Sequence, residues 1–556
     1  MTKTMGKQAL AELLREEGVE YVFGIPGATE IQFMDGLERC LDIRYMLGLH
    51  EVVCVGMAEG YARVTGKPGV LNLHTATGMA AASPLLYNAR NGRVPLVVTC
   101  GQNDSRLLQR DPQLTGDIVG IGRIHAKWSE EIARARDIPT VIRRAFKLAT
   151  QPPMGPVVVS IPQNLLQEEL DFSPAGRASV CRAVRPDASG VEHAVELLIT
   201  ARAPVLIVES GVTRADALDE VVHLAELVGA PVYQPWMADV NFPVTHPQYL
   251  GDLDPSGSRA AEVLSQADLL IGIGCPLFAE GFVNAACPVP PATKIIHIDD
   301  DPWEIGKNLP TECGLQGDIK ATVRQISSAL ETALASDARE RAAQRAAKIR
   351  AQKAAMEAAW QAETATGYDA SPISIGRLMA ELRNIVNDRT VIVDECWSAS
   401  AALRATLPLE RPLSYLRARG GGSIGEGLPV ALGVKLGRPD KQVVAVVGDG
   451  SAAWSMQTLW TAAHYRIPVT YVIMNNGTYR QVKIVRRAVL GVQGPLDEKH
   501  VGMDIDEPVI DFSGLARSLG VEGRRVSDPD QVGDALRSAI ASEQPRVVEV
   551  MVENRA

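Results

Sequence analysis

Residues 443–478, VVAVVGDGSAAWSMQTLWTAAHYRIPVTYVIMNNGT, constrain the fold of this chain more than any other stretch. Val443 to Val447 is an apolar, β-branched run that reads as a buried strand, and Gly448, Asp449 and Gly450 follow at once. A helix-like segment then leads to a second apolar run, Val469 to Met474, which ends in Asn475 and Asn476. Strand, turn, helix and strand of these lengths make a βαβ unit with parallel strands. Both polar turns then lie at the same carboxyl edge of the sheet, where open α/β folds bind ligands.

The residues in those turns have a definite chemistry. Gly448 and Gly450 let the backbone approach an anion closely. Asp449 offers a hard carboxylate, Asn476 a side-chain carbonyl, and the main chain near Thr478 a third oxygen. Mg²⁺ favours such oxygen ligands, with phosphate completing its shell. GDG alone is equally a tight strand-to-helix turn. GDG followed at this spacing by NN, after a second strand, points to a diphosphate held through a divalent cation.

The same alternation recurs along the chain. Strands are expected at 19–23, 43–49, 69–74 and 94–100, closing on GIPGATE, His50-Glu51, TATG and GQND. A mixed polar stretch at 165–190 reads as a linker. Further strands are expected at 204–209, 231–233, 269–273 and 294–298, two of them closing on GIGCP and HIDDDP. A glycine turn and a later acidic turn outline a dinucleotide-like unit, but G-x-G-x-x-G spacing is absent, and a structural spacer is expected. Residues 318–366 are rich in Ala, Arg, Gln and Glu, which favour a solvated helix. Val391–Val393 and the glycine-rich 419–429 lead back to the opening unit. With 556 residues there is room for two to four domains. The expected fold is α/β with three domains, each a mainly parallel sheet flanked by helices, at 1–180, 190–335 and 370–556, with a helical linker at 336–369.

Composition narrows the partners. A net charge of −10 argues against a general nucleic-acid binder. The first twenty residues are charged throughout, without the apolar core of a secretory signal, and no run approaches the roughly 18 apolar residues of a membrane span. Eight scattered cysteines with no CxxC read as free thiols, so a cytoplasmic protein with no membrane partner is expected.

FGIPGATE, the His50-Glu51 turn, NLHTATG, IHIDDDPWEIGKN, GSIGEGLP and GDG…NNGTY occur in this order over essentially the whole chain. In this they resemble the thiamine diphosphate-dependent superfamily of 2-oxo acid decarboxylases and acetohydroxyacid synthases. NLHTATG, KWS (127–129), LWTAAHY and VIMNNGTY are most similar to its benzoylformate decarboxylase branch. The resemblance implies thiamine diphosphate and Mg²⁺ as cofactors, a pyrimidine-binding first domain and a diphosphate-binding third domain. It matches Glu51 to the glutamate that hydrogen-bonds the aminopyrimidine ring and activates it. Gly422 matches the carbonyl that receives the exocyclic amine, and Ile424 the apolar support of the bent cofactor. Gly448, Gly450, Ser451 and Ser398 fall at the diphosphate, and Asp449, Asn476 and the Thr478 carbonyl at the cation. His74 matches a histidine that handles protons on the substrate, a task suited to imidazole near neutral pH. The first domain of one subunit is expected to face the third domain of another, with a homodimer as the minimum and a homotetramer common.

Some positions depart from the family. Ala28 stands where a serine contacts the substrate carboxylate, and no histidine occurs near Gly281, where the branch has a second one. Gln113 reads either as a cleft residue or as a plain loop residue. Glu426 stands where an aromatic residue is usual. Arg480, Lys483 and Arg487 share a helical face that reads either as a solvated or subunit-facing stripe or as a mouth for an anionic substrate. The expected activity is carbon–carbon lysis, most simply decarboxylation of a 2-oxo acid with possible carboligation. The alternatives are a 2-hydroxyacyl-CoA lyase, an acetohydroxyacid synthase-like transferase with FAD in its central domain, and a non-catalytic cofactor-binding protein, against which Glu51 argues.

Overall fold

The β-branched runs become strands because their side chains pack well on a pleated sheet covered on both faces. The computed structural model describes residues 2–177, 180, 183–253, 258–278, 289–365, 367–417 and 420–554. Its first part contains β1 (Thr2–Met5), β2 (Tyr21–Gly24), β3 (Arg44–Leu47), β4 (Gly69–His74), β5 (Leu96–Gln102), β6 (Trp128–Glu131), β7 (Val157–Pro162) and β8 (Glu169–Phe172). Six of them form a wholly parallel sheet in the order β3-β2-β4-β5-β7-β6. β1 and β8 pair antiparallel, with Thr4 opposite Leu170. The segment after 165, expected as a linker, therefore begins with a strand that ties back to the start of the chain. Leu170 and Phe172 alternate inward there and are buried.

A second parallel sheet comprises β9 (Pro204–Val208), β10 (Val232–Gln234), β11 (Tyr249–Asp252), β12 (Leu269–Ile273), β13 (Lys294–Asp299) and β14 (Cys313–Gln316), in the order β11-β10-β9-β12-β13-β14. A third comprises β15 (Thr390–Glu395), β16 (Tyr415–Arg417), β17 (Gln442–Gly448), β18 (Val469–Asn475), β19 (Glu522–Val526) and β20 (Arg546–Met551), in the order β16-β15-β17-β18-β20-β19. Leaving β1 and β8 aside, the first and third sheets have one topology. In each, the second strand along the chain lies outermost, followed by the first, third, fourth, sixth and fifth. A helix at Ser336–Ala365 lies between the second and third sheets in sequence. Among the described residues no helix is long and apolar enough to cross a membrane.

The first and third sheets share a core. Phe23, Leu71 and Val98 of the first pack in one cluster with Val443, Ala445 and Tyr471 of the third. Two helices fill the space, Glu51–Thr65 and Gly427–Gly437. Every residue from Val52 to Val64 is buried; most are apolar, and the two charged ones, Glu59 and Arg63, pair with each other. Glycines let the two helices touch. A Cβ on Gly60 would lie 2.1 Å from the Val430 carbonyl, and one on Gly433 would lie 2.0 Å from the Met57 carbonyl. Gly56 meets Pro429 and Gly437 meets Val64, so the helices run in the same direction. Their N-termini, Glu51 and the 425–427 turn, lie at the same end of the pair.

This contact makes a direct prediction. Gly433→Ala should lower the melting temperature strongly, because overpacking of this kind costs ~1–3 kcal/mol and the obstructing atom is backbone. Gly66→Ala should cost only ~1 kcal/mol, because its strain is a positive φ alone. Gly66 has φ +68° and nothing within 4 Å of the added carbon. Parallel thermal melts of the two variants check the difference.

Candidate active site

The first sheet brings His74, Glu51 and the GIPGATE turn to its carboxyl edge. β4 ends at His74, and Nδ1 of its ring lies 2.7 Å from Glu30 Oε2 and 3.1 Å from Thr29 Oγ1. Glu30 is 1% exposed, and it also accepts hydrogen bonds from Gly27 N and Thr29 Oγ1. Glycines make room for this group. A Cβ on Gly27 would enter the His74 ring at 2.2 Å, and one on Gly101 would lie 1.8 Å from Glu30 Oε1. A carboxylate at Nδ1 selects the tautomer with its proton there and leaves Nε2 as the exchanging nitrogen. Glu51 opens its helix, capped by His50, whose Nδ1 accepts from Val52 N. Its Oε1 lies 3.3 Å from the site of a Cβ on Gly78, at the start of the helix that follows His74.

The third sheet supplies an oxygen-rich turn. Asp449 is 3% exposed; its Oδ1 accepts from Gly450 N, and its Oδ2 from Asn476 N and Gly477 N. Asn476 Oδ1 accepts from Thr478 N, so the two polar turns after β17 and β18 form one connected loop pair. Burial pushes the Asp449 carboxyl up to about 6, against the pull of these amides. A nearby cation would relieve that cost. Tyr479 closes the floor, since a Cβ on Gly450 would strike its ring at 2.4 Å. In front of Gly448 the space is open, with only the Glu395 carbonyl, 3.9 Å away, within 4 Å of an added Cβ. Gly422 also has nothing within 4 Å of its own, at φ +84°. A hard oxygen donor set beside a roomy glycine turn fits Mg²⁺ and a diphosphate. Ser451 is buried next to Asp449, while Ser398 and Ile424 are half-buried at the same edge.

Other expected residues fall elsewhere. Ala28 begins the turn that carries Thr29 and Glu30, so the hydroxyl missing at 28 is present one residue on, bonded to His74. Gln113 is exposed on a loop pinned by Asn103, which donates to its carbonyl. Gly281 lies outside the described residues. Among the described residues no hydrogen bond joins Glu51 or His74 to Asp449, Asn476 or Thr478. The basic face of the Arg480–Leu490 helix does not read as a row of free cations. Lys483 is buried, ion-paired with Asp504, and donates to the Glu498 carbonyl. Thr29, Glu30 and Tyr479 were not singled out from the sequence, although Thr29 adjoins Ala28 and Tyr479 adjoins Thr478.

The carboxyl edge of the central sheet is crowded with charge. Arg93 of the first sheet's β5 approach reaches Asp299 at 2.7 Å, Asp300 at 2.8 Å, Asp301 at 3.3 Å and Glu304 at 3.4 Å. Burial pushes Glu209, which follows β9, up to about 8. At the switch point between β9 and β12, a Cβ on Gly211 would lie 2.5 Å from Gly274 Cα. Another anion would meet several carboxylates there.

Three family models match the chain. They are described as the thiamine pyrophosphate enzyme N-terminal TPP binding domain (residues 4–121), central domain (191–326) and C-terminal TPP binding domain (398–550). The acetolactate synthase large subunit of Haemophilus influenzae is 30% identical over 97% of this chain and 93% of its own length. The benzoylformate decarboxylase of Pseudomonas aeruginosa is 30% identical over 97% of each chain. Among solved structures, the thiamine diphosphate-dependent 4-hydroxybenzoylformate decarboxylase of Rhodococcus jostii RHA1 superposes with a TM-score of 0.85, at 29% identity over 99% of both chains.

Asp449→Ala should weaken Mg²⁺-dependent binding of thiamine diphosphate by ~100-fold or more, the scale of losing a buried charged ligand at ~3 kcal/mol. Titration of intrinsic fluorescence with the cofactor, with and without Mg²⁺, measures it.

Proposed function

Because this chain belongs to the thiamine pyrophosphate enzyme family, we propose that it is a thiamine diphosphate- and Mg²⁺-dependent carbon–carbon lyase, a 2-oxo acid decarboxylase of the benzoylformate type. The observation that carries the reading is the Glu30–His74 pair at the carboxyl end of β4. When bound, the cofactor supplies an electron sink beside the carbonyl carbon whose bond is broken. Asp449, Asn476 and the Thr478 carbonyl would hold Mg²⁺, and through it the diphosphate. The Gly422 carbonyl, Ile424 and Glu51 would orient the ring. Glu30 engages Nδ1 and holds the His74 ring in place, so that Nε2 would be the nitrogen that takes up and returns a proton at the substrate. Over the whole reaction a 2-oxo acid would take up one proton and give CO₂ and an aldehyde, and carboligation with a second carbonyl is an accessible side reaction. The minimum active unit is a homodimer, in which the partner's first domain completes the site.

A synthase with FAD in its central domain is less well supported. The carboxylates around Arg93 disfavour a dinucleotide at the edge of that sheet. A 2-hydroxyacyl-CoA lyase loses its basic mouth in part, because Lys483 is committed to Asp504.

The deciding experiment incubates the protein with thiamine diphosphate, Mg²⁺ and a panel of 2-oxo acids and 2-hydroxyacyl-CoAs, following CO₂ and aldehyde together. CO₂ and aldehyde from aryl 2-oxo acids are expected. Aldehyde without CO₂, or a product formed only by joining two 2-oxo acids, overturns the reading. His74→Ala should lower kcat by ~10²-fold, the usual scale of general acid–base catalysis. Glu51→Gln should slow hydrogen–deuterium exchange at C2 of the bound cofactor by a factor on the order of 10² or more, read by quenched-flow NMR.

A further inference from the structure

The loop from Gly420 to Gly427 carries Gly422 and Ile424, yet it has no regular structure of its own before its helix begins. Two side chains from outside it fix its shape. Glu395, the last residue of β15, is 3% exposed. Its Oε1 accepts from Gly425 N at 2.6 Å, and its Oε2 from Gly427 N at 2.6 Å. Gly425 has φ +94°, a conformation that turns successive amides toward a single acceptor. Gly427 can approach only because it lacks a side chain, since a Cβ there would lie 2.8 Å from the Glu395 Cβ. Both bonds are short, and burial pushes the Glu395 carboxyl up to about 7 against the pull of these amides.

Asn88 acts from the other side. It belongs to the Ser83–Asn91 helix of the first domain and is 1% exposed. Its Oδ1 accepts from Ser423 N at 3.0 Å, and its Nδ2 donates to the Ser423 carbonyl at 2.8 Å. The amide thus pairs with Ser423 as a neighbouring strand would. Its Nδ2 also donates to Glu426 Oε2 at 2.6 Å. Gly421 admits it, since a Cβ there would lie 2.0 Å from Asn88 Oδ1. Glu426, at the position where an aromatic residue was expected, is buried as a partner of Asn88; burial and the neighbouring Glu59 and Glu395 hold its carboxyl well above the usual range.

We infer that Glu395 and Asn88 are positioning residues that pre-form the 421–427 loop, one through the Gly425 and Gly427 amides and the other through the Ser423 backbone, so that Gly422 and Ile424 meet the cofactor without reordering. The inference rests on the assignment of Gly422 and Ile424 to thiamine diphosphate. A loop fixed before binding loses less entropy when the ligand arrives. Neither residue touches the reacting atoms, so their effect falls on cofactor affinity rather than on substrate affinity.

The test uses the full-length protein and the variants Glu395→Gln and Asn88→Ala. Thiamine diphosphate affinity in Mg²⁺ is measured together with backbone hydrogen exchange of the cofactor-free protein. Glu395→Gln keeps the size of the side chain but can accept from only one of the two amides. Expected is at least a tenfold rise in cofactor Kd for each variant. Exchange should be faster at 425–427 in Glu395→Gln and at 423 in Asn88→Ala, and unchanged in the sheets. At saturating cofactor, substrate KM should stay within twofold of wild type. Unchanged exchange in the loop, unchanged cofactor Kd, or faster exchange throughout the domain overturns the inference. Failure of the wild-type protein to bind thiamine diphosphate overturns the cofactor assignment on which the inference rests, and is read separately from the variants.

Discussion

The contact between the Glu51–Thr65 and Gly427–Gly437 helices is the constraint on which the rest of the structure depends. Gly60 against the Val430 carbonyl and Gly433 against the Met57 carbonyl leave no room for a single methyl group. Helices this close transmit position rigidly, as close-packed interiors do. Both carry parts of the proposed site at their N-termini, Glu51 on one and the Gly425–Gly427 turn on the other. The same packing that buries the shared core of the first and third sheets therefore sets where those groups stand.

A chain of buried ions fixes the central domain against this unit. Arg63, on the Glu51–Thr65 helix, donates to Asp239 and to the Arg417 carbonyl. Asp239 accepts in turn from Arg417 N. Arg417 pairs with Asp394 at 2.9 Å and stacks over Trp236 and Trp397. Asp394 accepts from the Tyr415 hydroxyl, which also accepts from Arg404, and Arg404 ion-pairs with Asp252. Burying so many charges brings little net stability, but breaking any one pair strands its partner in a dry interior. Such a network resists every arrangement of the three domains but one.

Within that frame, the two sheets of like topology place their polar groups by strand position. In each, the first, third and fourth strands end in turns that carry polar groups: Glu30, His74 and Gln102 in one, Glu395, Asp449 and Asn476 in the other. A buried glutamate stands at the end of the first strand or in the turn after it in both cases. In the first sheet it holds a histidine, and in the third it holds a loop. The central sheet has its own order and fills its carboxyl edge with Arg93 and four carboxylates.

What the sequence determined by itself was the set of strands with a strong apolar run and a loaded turn, since periodicity and turn chemistry are local. β4 and β12 match their expected limits, and the β17–β18 unit was legible together with its two polar turns. The edge strands β6, β11, β14, β16 and β19 were not legible, because an edge is half solvated and WSEE or EGRRV has no apolar run. β7 and β20 have such runs but no polar motif closing them. Only the tertiary structure decided which distant side chains converge. Asn88 meets Ser423 across more than three hundred residues, Glu395 meets the 425–427 amides, and Glu30 meets His74. Lys483 turned from an apparent surface cation into a buried partner of Asp504. Sequence spacing carries no signal for such contacts, because they are set by the order of strands in the sheets and by the close approach of two helices.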